Sequence, residues 1–438
     1  MIRMMSGLFL YLGVEVHGLH LVRPSIANAV GGEGTMPSCR EYAMNILAAD
    51  WEYNEHELAE LLPEQGKWAK ESATSFARKQ VDDWDSQGLD YCPFSSVTDR
   101  RVGAEAMKSR ISQGHWTFVP ERELDEWFSD SEIKALHGEV TGGCLPDGTG
   151  RRWPRSVGRE SMHLAWSSCS KQSGGCKTMR DVVHWMTTRG LTRLLLVGDS
   201  MMEQFWGAAQ CSLEKEDCTA VEAPPGHKRV SCPSRSGTGR AFEEIDFIML
   251  PMHRVEQVLD NVTAELDRAD IAIVNQGHHG PDHMDAVMKL MVEKAKKNVG
   301  TQRKVFWSQS TQPHFPGEDG SFKERVAPND VDFNQVDPSL MLCGPFKNDS
   351  RQFSANADAE ALLKQIDDKS NVRVLPFHQF SAGRWDMHGN WGGRRDEAGT
   401  KVDVDARRLH WQNDCLHFVY SPTFYAPYFG LLNEALER

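Results

Sequence analysis

The sequence predicts an α/β domain over about 150–438, with a mostly parallel sheet covered by helices on both faces and an N-terminal extension packed on it. Three observations carry this prediction. From about residue 190, apolar runs of strand length alternate with helix-like patterns. The runs are rich in Leu, Ile, Val and Phe, as strands buried on both faces require. Polar and titratable residues gather just after the runs, at what would be one edge of the sheet. Such alternation implies right-handed βαβ units.

Taken in order, residues 1–29 read as a secretory signal peptide or an N-terminal anchor. Arg3 precedes the apolar stretch Leu8–Val14, and Ala27-Asn28-Ala29 has the small-x-small form of a cleavage site. Residues 30–149 form the extension, with helical periodicity around Arg40–Leu62 and Trp68–Trp84, and the turn-rich Gly142–Gly150 marks its boundary. Strands are predicted at 191–198, 242–250, 270–275, 304–310 and 371–377, and helices at 201–213, 253–267, 282–297 and 356–367. In open parallel sheets, ligands bind outside the carboxyl ends of the strands. Those ends carry Asp199-Ser200, Asn275–His279, Ser310–His314 and His378–Asp386.

The chain has 438 residues, of which 40% are hydrophobic and 25% charged, as in a globular protein with a sizeable core. Lys+Arg 49 against Asp+Glu 62 gives a net charge of −13, with no long basic run. Nucleic acid is therefore not expected as a partner, because phosphate binding needs clustered cations. Neutral sugars or small esters fit this charge. No segment beyond the N-terminus approaches the ~20 apolar residues of a spanning helix, so membrane association is expected only there. A monomer is expected.

The ten cysteines include no Cys-x-x-Cys pair, which leaves zinc ribbons and thioredoxin chemistry without support. Cys169/Cys176 and Cys211/Cys218 are spaced as short disulfide loops, and Asn261-Val-Thr263 and Asn348-Asp-Ser350 are glycosylation sequons. With the N-terminal segment, these place the chain in the secretory pathway, in the Golgi lumen or secreted. The competing reading is a cytosolic enzyme with reduced, buried thiols.

Ser200 would sit at a strand-to-helix turn, where its hydroxyl can project above the sheet and its own N–H can help hold an oxyanion. The alternative is a helix cap, for which Asp199 and Ser200 both qualify. A serine nucleophile needs a base, and Asp414-Cys-Leu-His417 offers one. On one helical turn, residues three apart share a side, so Asp414 could orient His417. His417 would then take the Ser200 proton and later return one. His278, His279 and His283 are candidate metal ligands, but no acidic or thiol partner has zinc-site spacing, so no metal is expected.

Gly-Asp-Ser after a strand, paired with a late Asp-x-x-His, resembles the PC-esterase group of SGNH (GDSL-like) acyl-esterases, and more narrowly the trichome-birefringence-like polysaccharide O-acetyltransferases. Several blocks agree in order: Trp206 and Cys211 after Ser200, DIAIVNQGH (270–278), FWSQSTQPHF (306–315), Arg384-Trp-Asp386-Met-His388 and Asp414-Cys-Leu-His417. Trp166-Ser-Ser-Cys169 is a further block, and the likeness spans roughly 160–438. In the extension only fragments such as Cys92-Pro-Phe94 and Gly114-His-Trp116 align. The resemblance implies a three-layer SGNH-hydrolase-like fold and an O-acetyltransferase or acyl esterase with the triad Ser200, Asp414 and His417. Gly198, Asp199, Asn275, Gly277, His278 and Arg384 are then the candidate oxyanion and substrate-binding residues. Asn275 and Gly277 would line the oxyanion hole or simply form the turn after a strand. Arg384 and Asp386 also read as a structural ion pair.

The family's Arg and Asn after the serine are replaced here by Glu203 and Gln204, its aromatic after Asn-x-Gly-His by His279, and its final Trp-Cys by Phe418-Val419. The chain is thus similar to a distant member, and a substrate cannot be copied across. The expected function is serine-dependent transfer of an acyl group, acetyl above all, to a carbohydrate hydroxyl. No bound cofactor is expected; the acetyl donor, acetyl-CoA or another acetyl ester, would be a co-substrate. The alternatives are an acyl-ester hydrolase of carbohydrate or lipid, and a non-catalytic carbohydrate-binding protein on the same scaffold. Trp385, Trp391, Trp411 and Phe418 would form a sugar-stacking surface or pack in the core.

Overall fold

A computed structural model describes residues 37–61, 72–94, 107–120, 123–127, 164–222, 227–235, 241–252, 259–275, 284–314, 343–345, 354–367, 371–389, 414–418 and 421–438. The expected N-terminal signal or anchor and the expected 142–150 boundary lie outside these residues, as do Gly277, His278, His279, His283, Trp391 and Trp411.

A seven-stranded sheet organises the chain. Its strands are β3 (Arg193–Gly198), β4 (Thr219–Glu222), β5 (His227–Pro233), β6 (Phe242–Pro251), β7 (Ile271–Val274), β8 (Lys304–Ser308) and β9 (Arg373–Leu375), in the order β4-β5-β6-β3-β7-β8-β9. β6, β3, β7, β8 and β9 run parallel, while β4 and β5 add an antiparallel edge. All five strands expected from the sequence form the parallel part. The sequence reading missed β4 and β5, two short strands separated by Ala-Pro-Pro-Gly (223–226) and lying between two expected elements. Among the described residues there are also two small antiparallel pairs: β1 (Trp116–Phe118) with β2 (Leu164–Trp166), and β10 (His388–Gly389) with β11 (Asp414–Phe418).

Side-chain alternation divides the core into two layers. On one face Leu194, Leu196, Phe247, Ile273, Phe306 and Leu375 pack against α4 (Met179–Thr187), α5 (Ser200–Glu214) and α10 (Pro422–Glu437). On the other, Leu195, Val197, Ile248, Val274, Val305 and Val374 meet α6 (Leu259–Arg268), α7 (Met284–Lys297) and α8 (Ser354–Ile366). The architecture is therefore helix, sheet, helix. The remaining helices are α1 (Cys39–Leu61), α2 (Ala73–Gln87), the single turn α3 (Leu124–Trp127) and α9 (His378–Ser381).

Described residues of the extension join the first core layer, apart from a small cluster of Val119, Leu124 and Trp127 with Ala165. Tyr42, Trp51, Phe76 and Trp84 belong to the same buried cluster as Phe380 and Trp385. The Trp116 indole donates to the Phe380 carbonyl (3.0 Å), and Trp116 pairs with Trp166 across β1 and β2. Gly114 is required there, because a Cβ would lie 2.3 Å from the Trp166 indole nitrogen.

Disulfides join Cys39–Cys92, Cys169–Cys176, Cys218–Cys232 and Cys343–Cys415. They fit a secreted or lumenal protein. The expected Cys211–Cys218 loop does not form. Cys211 is a buried thiol on α5, and Cys218, just past that helix, bonds instead to Cys232 on the neighbouring β5. Spacing alone could not choose between these partners. No described helix is long and apolar enough to cross a membrane.

Candidate functional site

From β3 the chain crosses by α5 toward β6, whereas from β7 it crosses by α7 toward β8. Connections that leave adjacent strands in opposite directions open a crevice at their carboxyl ends. Ser200 follows β3 at that crevice, and Asn275 follows β7.

Asp199, not Ser200, is the N-cap of α5. Its carboxylate accepts from the Met201 N–H at 3.0 Å, and its carbonyl accepts from Met202 and Glu203. Ser200 is left half-buried at the first helical position. Its N–H is one of the first four of the helix, which have no partner within the helix itself. Gly198 is fixed sterically: a Cβ there would come 2.7 Å from the Met202 Cβ and 3.0 Å from the Asn275 carbonyl. The missing side chain lets β3, the start of α5 and the end of β7 close together.

His417 reaches this turn from 217 residues away, its Nε2 2.6 Å from the Ser200 Oγ. In the tautomer with its hydrogen on Nδ1, the serine hydroxyl donates to Nε2. The expected helical turn between Asp414 and His417 is absent: both lie on the strand β11. Pairing with β10 holds that segment extended, so helical spacing no longer argues that the two share a side. Asp414 opens the strand, but its side chain lies outside the described structure.

Two side chains to which the sequence assigns no role hold the backbone of this segment, one at Phe418 and one at His417. The Gln204 amide donates to the Phe418 carbonyl (3.0 Å) and accepts from the Phe418 N–H (3.1 Å). Gln204 stands four residues after Ser200 and Phe418 one after His417, so this clamp ties the two halves of the site together. The His388 Nδ1 donates to the His417 carbonyl at 2.9 Å. The signal for Gln204 was its position one helical turn after Ser200, where it replaces the Asn expected from the resemblance.

The other candidates are placed as follows. Asn275 is 1% exposed and gives both amide hydrogens away, to the Ser308 carbonyl (2.8 Å) and the Ser310 hydroxyl (2.9 Å). A side-chain oxyanion role for Asn275 would therefore require breaking one of these bonds. Arg384 is fully buried, pairs with Asp386 at 2.9 Å and lies 4.5 Å over the Trp116 ring. Tyr42 adds its hydroxyl to the same carboxylate at 2.6 Å. The pair therefore joins the extension to the main sheet domain. Trp385 and Phe418 are buried among other aromatic rings, so core packing prevails for both.

The polar run after β8 is also interior. Gln309 donates to Glu360 (2.5 Å), Ser310 is held at both backbone groups by Asn356, and Gln312 accepts from His378 (2.8 Å). Beside it lies a small cavity of about 20 Å³, lined by Met201, Met202, Phe205, Asn275, Thr311 and Tyr428 among others. Burial raises the hydroxyl pKa of Tyr425 and Tyr428 well above the ordinary tyrosine value, so this wall of the site stays uncharged.

Among the described residues, no cluster of three or more His, Cys, Asp or Glu could hold a metal ion. No family model matches the chain, and neither a curated protein nor a solved structure does.

Proposed function

We propose that the chain is a serine-dependent O-acyltransferase that moves an acyl group, most naturally acetyl, onto a carbohydrate hydroxyl. The observation that supports this reading best is the 2.6 Å contact between Ser200 Oγ and His417 Nε2 at the crevice. A nucleophile bonded to a neutral base is the minimal unit of covalent acyl transfer. His417 Nε2 takes the hydroxyl proton as Ser200 Oγ bonds to the acyl carbon of the donor, and the carbonyl oxygen becomes an oxyanion. The Ser200 N–H, at the positive end of α5, offers that charge a hydrogen bond. His417 then gives its proton to the leaving group as the donor bond breaks. In the second half, His417 takes the proton of an incoming sugar hydroxyl, whose oxygen bonds to the acyl carbon; the Ser200 Oγ–acyl bond then breaks and His417 returns the proton to Oγ. Asp414 is assigned to orient His417.

The ordered blocks shared with PC-esterases favour an SGNH-type fold and an acetyl group over a long acyl chain. The disulfides, and Asn261 exposed in its sequon on α6, fit the Golgi lumen or the cell exterior as the place of action.

Incubation with an activated acetyl ester, with and without oligosaccharide acceptors, tests the proposal against Ser200→Ala. Acetyl release and acetylated sugar are expected from the wild type and neither from the variant. Release without transfer across a broad acceptor panel would make the protein an esterase. Equal release by the variant would refute the nucleophile.

A further inference from the structure

A second histidine pair lies behind His417. His314 is fully buried and His388 is 7% exposed. The Nδ1 of His314 lies 2.7 Å from the Nε2 of His388. The outer nitrogens end on backbone carbonyls: His314 Nε2 on Ala382 at 3.1 Å, and His388 Nδ1 on His417 at 2.9 Å.

A proton count decides the state of this chain of bonds. Carbonyl oxygens only accept, so both outer nitrogens must carry hydrogen. A neutral imidazole has one N–H. Two neutral rings would therefore spend both hydrogens outward and set two lone pairs against each other across 2.7 Å. One added proton between the inner nitrogens turns that clash into a charge-assisted hydrogen bond. The surroundings suit one positive charge. The His388 ring lies at a tilt of 34° to the Phe418 ring with centres 4.3 Å apart, within cation–π range, and His314 stands perpendicular to the same ring at 6.2 Å.

We infer that His314 and His388 share a single proton as an imidazole–imidazolium pair, and that this pair positions the backbone of His417. While the proton is present, His388 is held with its Nδ1–H on the His417 carbonyl. When it is lost, the inner contact is repulsive, the rings part, and β11 loses that anchor. Among the described residues, the other titratable groups on the surrounding elements are few. Arg384 and Asp386, just before β10, neutralise each other, and the Tyr42 hydroxyl is bonded to Asp386. His378 on α9 bonds Gln312, Tyr425 and Tyr428 on α10 stay protonated, and His417 itself faces Ser200. On β11, Asp414 is the remaining ionisable residue.

The positioning role rests on reading His417 as the base, whereas the shared proton does not. Imidazole nitrogen NMR on the full chain with ring-labelled histidine counts the hydrogens directly. Three N–H across the two rings at neutral pH are expected, one of them far downfield and slow to exchange. Two N–H at every pH at which the protein is folded would overturn the pair, whether or not any acyl transfer is seen. For positioning, His314→Asn sets a non-titrating N–H against His388, and His314→Leu removes the donor. The Leu variant is expected to lose roughly 10²-fold in kcat, the scale of a misplaced catalytic group. The Asn variant should recover part of that loss and lose the alkaline fall of the wild-type pH profile. If the alkaline limb persists unchanged in His314→Asn, the positioning role is wrong. Should both variants fail to fold, the wild-type hydrogen count still decides the pair.

Discussion

Two polar clusters stand at the same end of the sheet, and they differ in what binds them. Ser200 and His417 are half-buried, come from distant parts of the chain and bond to each other. The run Ser308–His314 is buried, and its groups bond to the scaffold: Gln309 to Glu360, Ser310 to Asn356, Gln312 to His378 and Ser381. One cluster leaves a hydroxyl bonded to an imidazole, both half-buried, at the crevice. The other supplies hydrogen bonds that a sheet end must have once loops cover it. Polar residues after a strand are thus of two kinds, and only their partners tell them apart.

The largest expected effect that sharpens this contrast is Ser200→Ala. It should lower acyl release by at least about 10⁴-fold, the scale of losing a nucleophile from a working unit. Chemical denaturation should find its stability within about 0.5 kcal/mol of wild type, as for other substitutions that leave no buried group unpaired. A large loss of stability would move Ser200 into the scaffold class. Asp386→Ala should do the reverse. It leaves the fully buried Arg384 guanidinium without its counter-charge and should cost about 3–5 kcal/mol in the same measurement.

Gln204→Leu tests the join between the two halves. Both Phe418 backbone groups lose their amide partner, and stability should fall by about 1–3 kcal/mol. Its kcat should fall more than its KM rises, because the Ser200–His417 distance and not substrate binding is disturbed. The smallest effect concerns the apolar wall. Tyr425 and Tyr428 resist ionisation when folded, whereas in the unfolded chain they ionise near the usual value of about 10. Both states are protonated below that pH, so the stability from these hydroxyls is intact there and falls as pH rises above it. Phe substitution at either tyrosine should flatten the alkaline fall seen in denaturation curves.

Much of the scaffold was legible because its signals are local. A run such as Leu194–Val197 reads as a strand buried on both faces, and the periodicity around Trp68–Trp84 overlaps α2, which the structure starts at Ala73, after the Ser72 cap, and ends at Gln87 before Gly88. Ser200 and His417 meet as the sequence leads one to expect, but not through a helical turn at Asp414–His417. Asp414–Phe418 is a strand, because pairing with β10 outweighs the helical spacing. The Arg384–Asp386 ion pair was readable from two residues so close in sequence. Its role in fastening Tyr42 and Trp116 to the sheet domain was not, since those partners lie hundreds of residues away.

By itself, then, the sequence determined the alternation of strands and helices, and it put two residues able to cap a helix, Asp199 and Ser200, at a strand-to-helix turn. Each follows from interactions within a few positions along the chain. Only the tertiary structure decided which cysteine met Cys218, which polar residues were consumed inside the fold, and that two histidines behind His417 face each other at hydrogen-bond distance. Those outcomes depend on the order of strands and on burial, which no spacing along the chain encodes.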